Sequence, residues 1–226
     1  MAYTAAAPYT GIVDAYGPAD FRRLPDLLVA KMGLGPSGVN GYLLRCLRTE
    51  EQLLVDAADD VLFVAAIMGS RGLSTIVTTH AHDNHVRALS ELEESTFART
   101  VAHPDDSGAL PIATTHPVED GDVVGVGAVG LTVVHLPGHT PGSIALLYSP
   151  ADGSAPHLFT GDALLAGGPG ATGTAEDRGR LLDELGHKVF DALPDETWIY
   201  PGHGEDTTVG RERAAWRAAA SSVPTS

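Results

Sequence analysis

Cysteine is almost absent from this sequence: Cys46 stands alone among 226 residues. No internal disulfide can form, and a cysteine-rich structural zinc site is excluded. Thiol scarcity of this kind fits a reducing compartment, so a cytoplasmic protein is expected. Lysine is nearly as scarce, with only Lys31 and Lys188, and 14 basic residues face 29 acidic ones for a formal net charge of −15. Such a surface repels a phosphate backbone, and no basic stripe with interleaved aromatics offsets it, which argues against a nucleic-acid partner. Also missing is any apolar run near the roughly 20 residues that cross a bilayer. The start of the chain, Met1 to Pro8, has neither a basic n-region nor an apolar h-region, so neither a secretory signal nor a membrane partner is expected.

Against these absences stands one dense stretch, Thr79-His80-Ala81-His82-Asp83-Asn84-His85. Neutral imidazole is a strong ligand for zinc, iron and copper, and three histidines in six residues point to a metal. The stretch follows Leu73-Ser-Thr-Ile-Val-Thr78, an apolar, β-branched run that reads as a buried strand. It precedes Val86 to Glu94, whose apolar positions 86, 89 and 92 predict a helix. Asp83 or Asn84 is then the expected N-cap.

The remaining pattern is strand and helix in alternation. Strands are expected at 11–16, 39–47, 51–56, 96–102, 122–126, 129–135, 144–148, 157–160 and 197–200, with a strand or short helix at 21–32. Helices are expected at 59–69, 175–193 and 207–219. This order implies a layered α/β protein. One domain over 1–226 is expected, with a loose arm at 1–10 and a frayed tail at 221–226.

Four chemical positions share one local grammar. His80, His139, Asp162 and His203 each follow an apolar strand, most beside glycine or proline. If those strands end together, six donors meet: His80, His82, His85, His139, Asp162 and His203. Six exceeds a tetrahedral structural zinc and suits two ions, with Asp162 as a bridging carboxylate.

His80-x-His82-x-Asn84-His85, Gly138-His139, Gly161-Asp162 and Gly202-His203 resemble the signature of the metallo-β-lactamase fold superfamily. Leu136-Pro-Gly-His-Thr-Pro-Gly-Ser143 and the ending Tyr200-Pro-Gly-His-Gly204 are most similar to its glyoxalase-II-like branch, in a short form without the C-terminal helical domain. The resemblance implies a four-layer αββα sandwich, α+β within the broader α/β class, with metal at one edge of two sheets. It assigns His80, His82 and His139 to one ion, His85 and His203 to a second, and Asp162 to both. Asp56 matches a supporting acidic position.

One departure narrows the chemistry. The family pattern has Asp where this chain has Asn84, and an amide is the weaker, neutral ligand. One tight and one weak or absent zinc ion is therefore expected. A leaving amine needs a proton, whereas a thiolate with a pKa near about 8.5 departs unaided. Losing the acid harms a lactamase more than a thioesterase, so the expectation is hydrolysis of a small acyl-thiol, carried on a free thiol or a carrier-protein arm, with Asp162 and Asn84 as the catalytic candidates. The alternatives within the resemblance are a mononuclear iron (Fe2+) persulfide dioxygenase at His80, His139 and Asp162, and a lactonase.

Other features are read as structural. Gly167-Gly-Pro-Gly170 lacks the Gly-Lys-Ser/Thr of a phosphate loop and reads as a mobile loop near the site. His103, His116, His157 and His187 are expected at surface or capping positions, and His135 in the core or supporting the site. Cys46, Tyr42 and Trp198 are expected in the core.

Overall fold

The computed structural model describes residues 8–221. Seven strands form the first sheet in sequential order: β1 (Asp20–Arg23), β2 (Leu27–Leu34), β3 (Val39–Cys46), β4 (Gln52–Val55), β5 (Thr75–Val77), β6 (Arg99–Ala102) and β7 (His116–Pro117). The first four pair antiparallel, then β4 to β7 run parallel. The second sheet holds β8 (Val123–Val126), β9 (Val129–His135), β10 (Ile144–Tyr148) and β11 (His157–Gly161). Past the small hairpin of β12 (Leu164–Leu165) and β13 (Gly168–Pro169), it is completed by β14 (Trp198–Pro201) and β15 (Thr207–Thr208).

Side-chain alternation assigns each face of these strands to a different core. On β4, Leu53 and Val55 point to the inter-sheet core, while Leu54 points outward. On β11 and β14, Phe159 and Tyr200 face inward, while Leu158 and Ile199 face the outer layer. Helices α1 (Val61–Met68) and α2 (Leu89–Thr96) supply Val64, Leu89 and Leu92 to the core outside the first sheet. The four-residue helix α3 (Pro104–Ser107) follows β6. Helices α4 (Ala175–Leu185) and α5 (Val209–Ser221) cover the second sheet through Leu181, Leu185, Val209 and Trp216. Three cores separate four layers, the expected αββα sandwich. Among the described residues, no helix is long and apolar enough to cross a membrane.

Several expectations need correction. Residues 11–16 form no strand; only Ala15 makes an isolated bridge, to Gly33. At 21–32 the strand alternative holds: β1 and β2 pair across a bend at 24–26. The helix after the histidines starts at Leu89, because His85 closes a separate 3₁₀ turn and Val86, at φ −131° and ψ 6°, breaks the spiral. Neither Asp83 nor Asn84 caps a helix; Asp83 pairs with Arg87 at 2.9 Å instead. Of the expected loose arm, residues 1–7 lie outside the described residues, while Thr10 is held by Asp20 and Tyr9 by Asp206. Of the expected tail, Ser221 ends α5 and 222–226 lie outside the described residues.

Candidate metal centre

Parallel pairing brings the C-terminal ends of β4, β5 and β6 together, as it does those of β11 and β14. Asp56 follows β4, His80 follows β5, Asp162 follows β11 and His203 follows β14. Cross-sheet bonds close this edge: Thr79 accepts from Ile144 N, and Gly202 accepts from Asn40 N. All six predicted donors meet here. His139 Nε2, His85 Nε2 and His80 Nε2 lie 3.7, 3.6 and 3.9 Å from Asp162 Oδ2, and His139 Nε2 lies 3.0 Å from His82 Nδ1. Two clusters result, His80–His82–His139 and His85–Asp162–His203. Gly202 allows this convergence, because a Cβ there would collide with Asp162 Oδ1 and His85.

Hydrogen bonds on the far side of the rings orient them. Asp56 accepts from Thr79 N and Thr79 Oγ1, each at 2.8 Å, and from His85 Nδ1 at 3.0 Å. The Thr79 hydroxyl in turn accepts from His80 Nδ1 at 3.0 Å. His139 Nδ1 donates to Ala171 O at 2.7 Å. Each bond commits an Nδ1–H outward and turns Nε2 into the site, the arrangement that metal-binding histidines use. Thr79 and the Ala171 carbonyl were invisible in sequence, since neither belongs to a ligand type.

Two atoms test the fit of a cation. His80 Nε2 and His85 Nε2 are buried without any hydrogen-bond partner among the described residues. Leaving a buried polar atom unpaired costs about 1–3 kcal/mol, a cost that coordination removes. The electrostatics agree. Burial, with the neighbouring His85 charge, holds His80 well below the usual imidazole range, and burial beside His139 lowers His82, so both lone pairs stay free at neutral pH. His85 differs: burial opposes a charge on it, yet the carboxylates of Asp162 and Asp56 raise it to about 9, so a cation bound at Nε2 must displace a proton there. Burial would also raise Asp162, but His203 and His85 outweigh it and keep the carboxyl ionised far below its ordinary range. An anionic oxygen among imidazoles suits zinc or iron.

The other expected residues divide. Asn84 donates its Nδ2 to His203 Nε2 at 3.3 Å, and His203 Nδ1 donates to Asp162 Oδ1 at 2.9 Å, so both nitrogens of His203 are engaged. The Gly-rich loop is pinned rather than free: Gly167 N donates to Glu212, Gly170 N donates to Ala163 O, and Ala171 holds His139. His116 and His187 are exposed, whereas His157 is buried, with Nδ1 3.0 Å from the Tyr200 hydroxyl. His103 is buried at the N-cap of α3 and stacks on half-buried His135, with ring centroids 3.8 Å apart and planes 15° apart. Lone pairs in parallel planes cannot converge on one ion, so His103, Asp105 and His135 do not make a second centre. Cys46 and Tyr42 are buried in the inter-sheet core, and Trp198 packs half-buried against it. A hollow of about 490 Å³ lined by Pro25, Cys46, Arg48 and Tyr148 contains none of the six donors.

This edge has a known counterpart. The model of the metallo-beta-lactamase superfamily matches residues 34–203, from the end of β2 to the last of the six donors. The chain belongs to the metallo-beta-lactamase superfamily. It is 39% identical over 166 residues to the hydroxyacylglutathione hydrolase of Fuscovulum blasticum, a match covering 72% of this chain and 61% of that protein. The chain thus spans about three fifths of that relative. Among solved structures it is similar to ETHE1 from Myxococcus xanthus, with TM-score 0.69, 30% identity, and coverage of 89% of this chain and 84% of that one. It is also similar to TTHA1623 in a di-iron-bound form, with TM-score 0.68, 30% identity, and coverage of 82% and 97%. Within this superfamily of metallo-hydrolases, the chain presents candidate His/Asp groups for a divalent metal.

Proposed function

We propose that this protein is a metal-dependent hydrolase that cleaves the thioester of a small acyl-thiol. The observation that carries the reading is the bond from Asn84 to His203 at 3.3 Å. An amide there can neither protonate a leaving amine nor add negative charge to the second donor cluster. A thiolate needs no such proton, so this substitution leaves thioester cleavage the least impaired of the acyl transfers. The likeness to a protein named hydroxyacylglutathione hydrolase supports the same substrate class.

His80, His82 and His139 would hold the principal ion, and His85, Asp162 and His203 a second, weaker one. When bound, zinc lowers the pKa of a coordinated water toward about 7 and polarises the acyl carbonyl. Asp162, kept ionised by His203 and His85, would offer Oδ2 to hold and orient a water molecule through a hydrogen bond. Asp56 keeps His85 turned toward the site, and the Ala171 carbonyl does the same for His139. The acyl carrier is a free small thiol or the thiol arm of a carrier protein.

A second reading, a mononuclear iron persulfide dioxygenase with the iron at His80, His139 and Asp162, draws on the likeness to ETHE1 and on the engagement of both His203 nitrogens, which weakens the second donor cluster. Protein reconstituted with zinc or with ferrous iron and given a panel of acyl-thiols, lactones and a persulfide separates the readings. Thiol release by the zinc form supports the proposal. Oxygen uptake confined to the iron form, with every acyl-thiol left intact, overturns it.

A further inference from the structure

The donor nitrogens of His80, His82 and His139 arrive from two loops that are distant in sequence. One carboxylate joins those loops, and it belongs to neither. Asp106, in α3, is 4% exposed. Its Oδ2 accepts from Ala81 N at 2.9 Å and from the Thr140 hydroxyl at 2.7 Å, while Oδ1 accepts from Gly142 N at 2.7 Å. Ala81 separates His80 from His82, and Thr140 and Gly142 belong to the turn that follows His139.

We propose that Asp106 is a positioning residue for this donor cluster, clipping the His80–His82 loop to the His139 turn at the spacing one cation requires. The residue type fits the task. An ionised carboxylate only accepts, and it meets donors from both loops at once. Asparagine would keep one acceptor and turn its amide hydrogens against a backbone N–H on one side or the other.

The packing around the clip is specific. A Cβ at Gly142 would lie 2.7 Å from Asp106 N and 2.8 Å from its Cβ and Cγ, so only glycine lets the turn approach α3 this closely. Ser143 Oγ accepts from Thr140 N at 3.0 Å, which fixes the hydroxyl that reaches Asp106. Asp106 N donates to His103 O, and the imidazole stacked on His103 belongs to His135, whose Nε2 lies 2.9 Å from Pro141 O. A second strut between α3 and the same turn thus runs parallel to the carboxylate. None of these bonds reaches His85, Asp162 or His203, so the clip acts on one donor cluster only.

The inference rests on the donor geometry and is independent of the substrate. The test is titration of the metal-free full-length chain with cobalt(II) alone, followed by the visible absorption of the bound ion. It is run in two backgrounds: His203→Ala, which keeps His80, His82 and His139, and His82→Ala, which keeps His85, Asp162 and His203. Asp106→Asn should weaken cobalt binding about 10- to 100-fold in the first background and change its spectrum, as losses of outer partners do. In the second background the change should stay under about threefold, well below that range. Thr140→Val removes one bond of the clip and should weaken binding in the first background by roughly the lower end of that range, whereas Thr140→Ser should restore it. The Thr140 pair decides the matter if Asp106→Asn fails to fold. Equal losses in both backgrounds, or unchanged affinity and spectrum in Thr140→Val, would overturn the proposal.

Discussion

Asn84 Nδ2 lies 3.3 Å from Nε2 of His203, whose other nitrogen is bonded to Asp162 at 2.9 Å. The last histidine of the site is therefore occupied on both sides by the protein itself. Two unequal halves follow: among His80, His82 and His139, His80 Nε2 has no partner among the described residues and His82 Nδ1 lies 3.0 Å from His139 Nε2, while the cluster around His203 is bonded to Asn84 and short of charge.

Asn84→Asp should reverse that inequality. A carboxylate adds charge to the His85–Asp162–His203 cluster and removes the donor that caps His203. Affinity for the second ion should rise about 10- to 100-fold, the scale typical of single partners around a metal. Metal content measured after dialysis at limiting zinc should move toward two ions per chain. Cleavage of an amide should gain more than cleavage of a thioester.

Asp56 acts from behind His85. Asp56→Ala leaves Thr79 N, Thr79 Oγ1 and His85 Nδ1 without their shared acceptor. Unfolding by urea should show a loss of about 2–4 kcal/mol, since several buried donors lose a charged partner. The same variant should bind its second ion more weakly, by roughly 10-fold or more.

The acid limb of stability should carry a contribution from His157. Burial, with the Arg22 charge adding, holds its folded pKa down at about 4, against the ordinary 6.5. Between those values the unfolded chain binds a proton that the folded protein refuses. The stability this residue contributes is complete above about pH 6.5 and is lost as pH falls toward 4. Urea melts across that window should lose about 2 kcal/mol more in the parent than in His157→Asn, an allowance that includes partial solvent screening.

A buried ion pair braces the loop that bears His203. Lys31 Nζ lies 2.7 Å from Asp206 Oδ1 and donates to Gly11 O and Gly204 O. Lys31→Met would leave the Asp206 charge without its cation. Denaturation should show a loss of about 3–5 kcal/mol, the usual cost of breaking a buried pair on one side. Lys31→Met combined with Asp206→Asn should recover part of it.

How much of this was legible in sequence depended on how local each cause was. His80, Asp162 and His203 could be placed because each ends a strand whose apolar alternation is visible in the chain itself. The spacing of His80, His82 and His85 is likewise a local pattern. Asp106 could not be found this way: its partners, Ala81, Thr140 and Gly142, are about 25 to 36 residues distant. His157 reads as a surface or capping histidine because nothing near it announces Tyr200, which meets it through the parallel pairing of β11 and β14. Glycine density at 167–170 suggested motion, yet Glu212, 45 residues later, holds that loop in place. The late start of α2 has the same origin, since His85 is drawn inward by Asp56 from another strand.

The most direct test of the metal centre is elemental mass spectrometry on protein purified without added metal, beside His80→Ala and His139→Ala. The account predicts between one and two zinc ions per parent chain and a loss of at least one in each variant. A parent chain with no transition metal, or variants that retain the parental content, would contradict it.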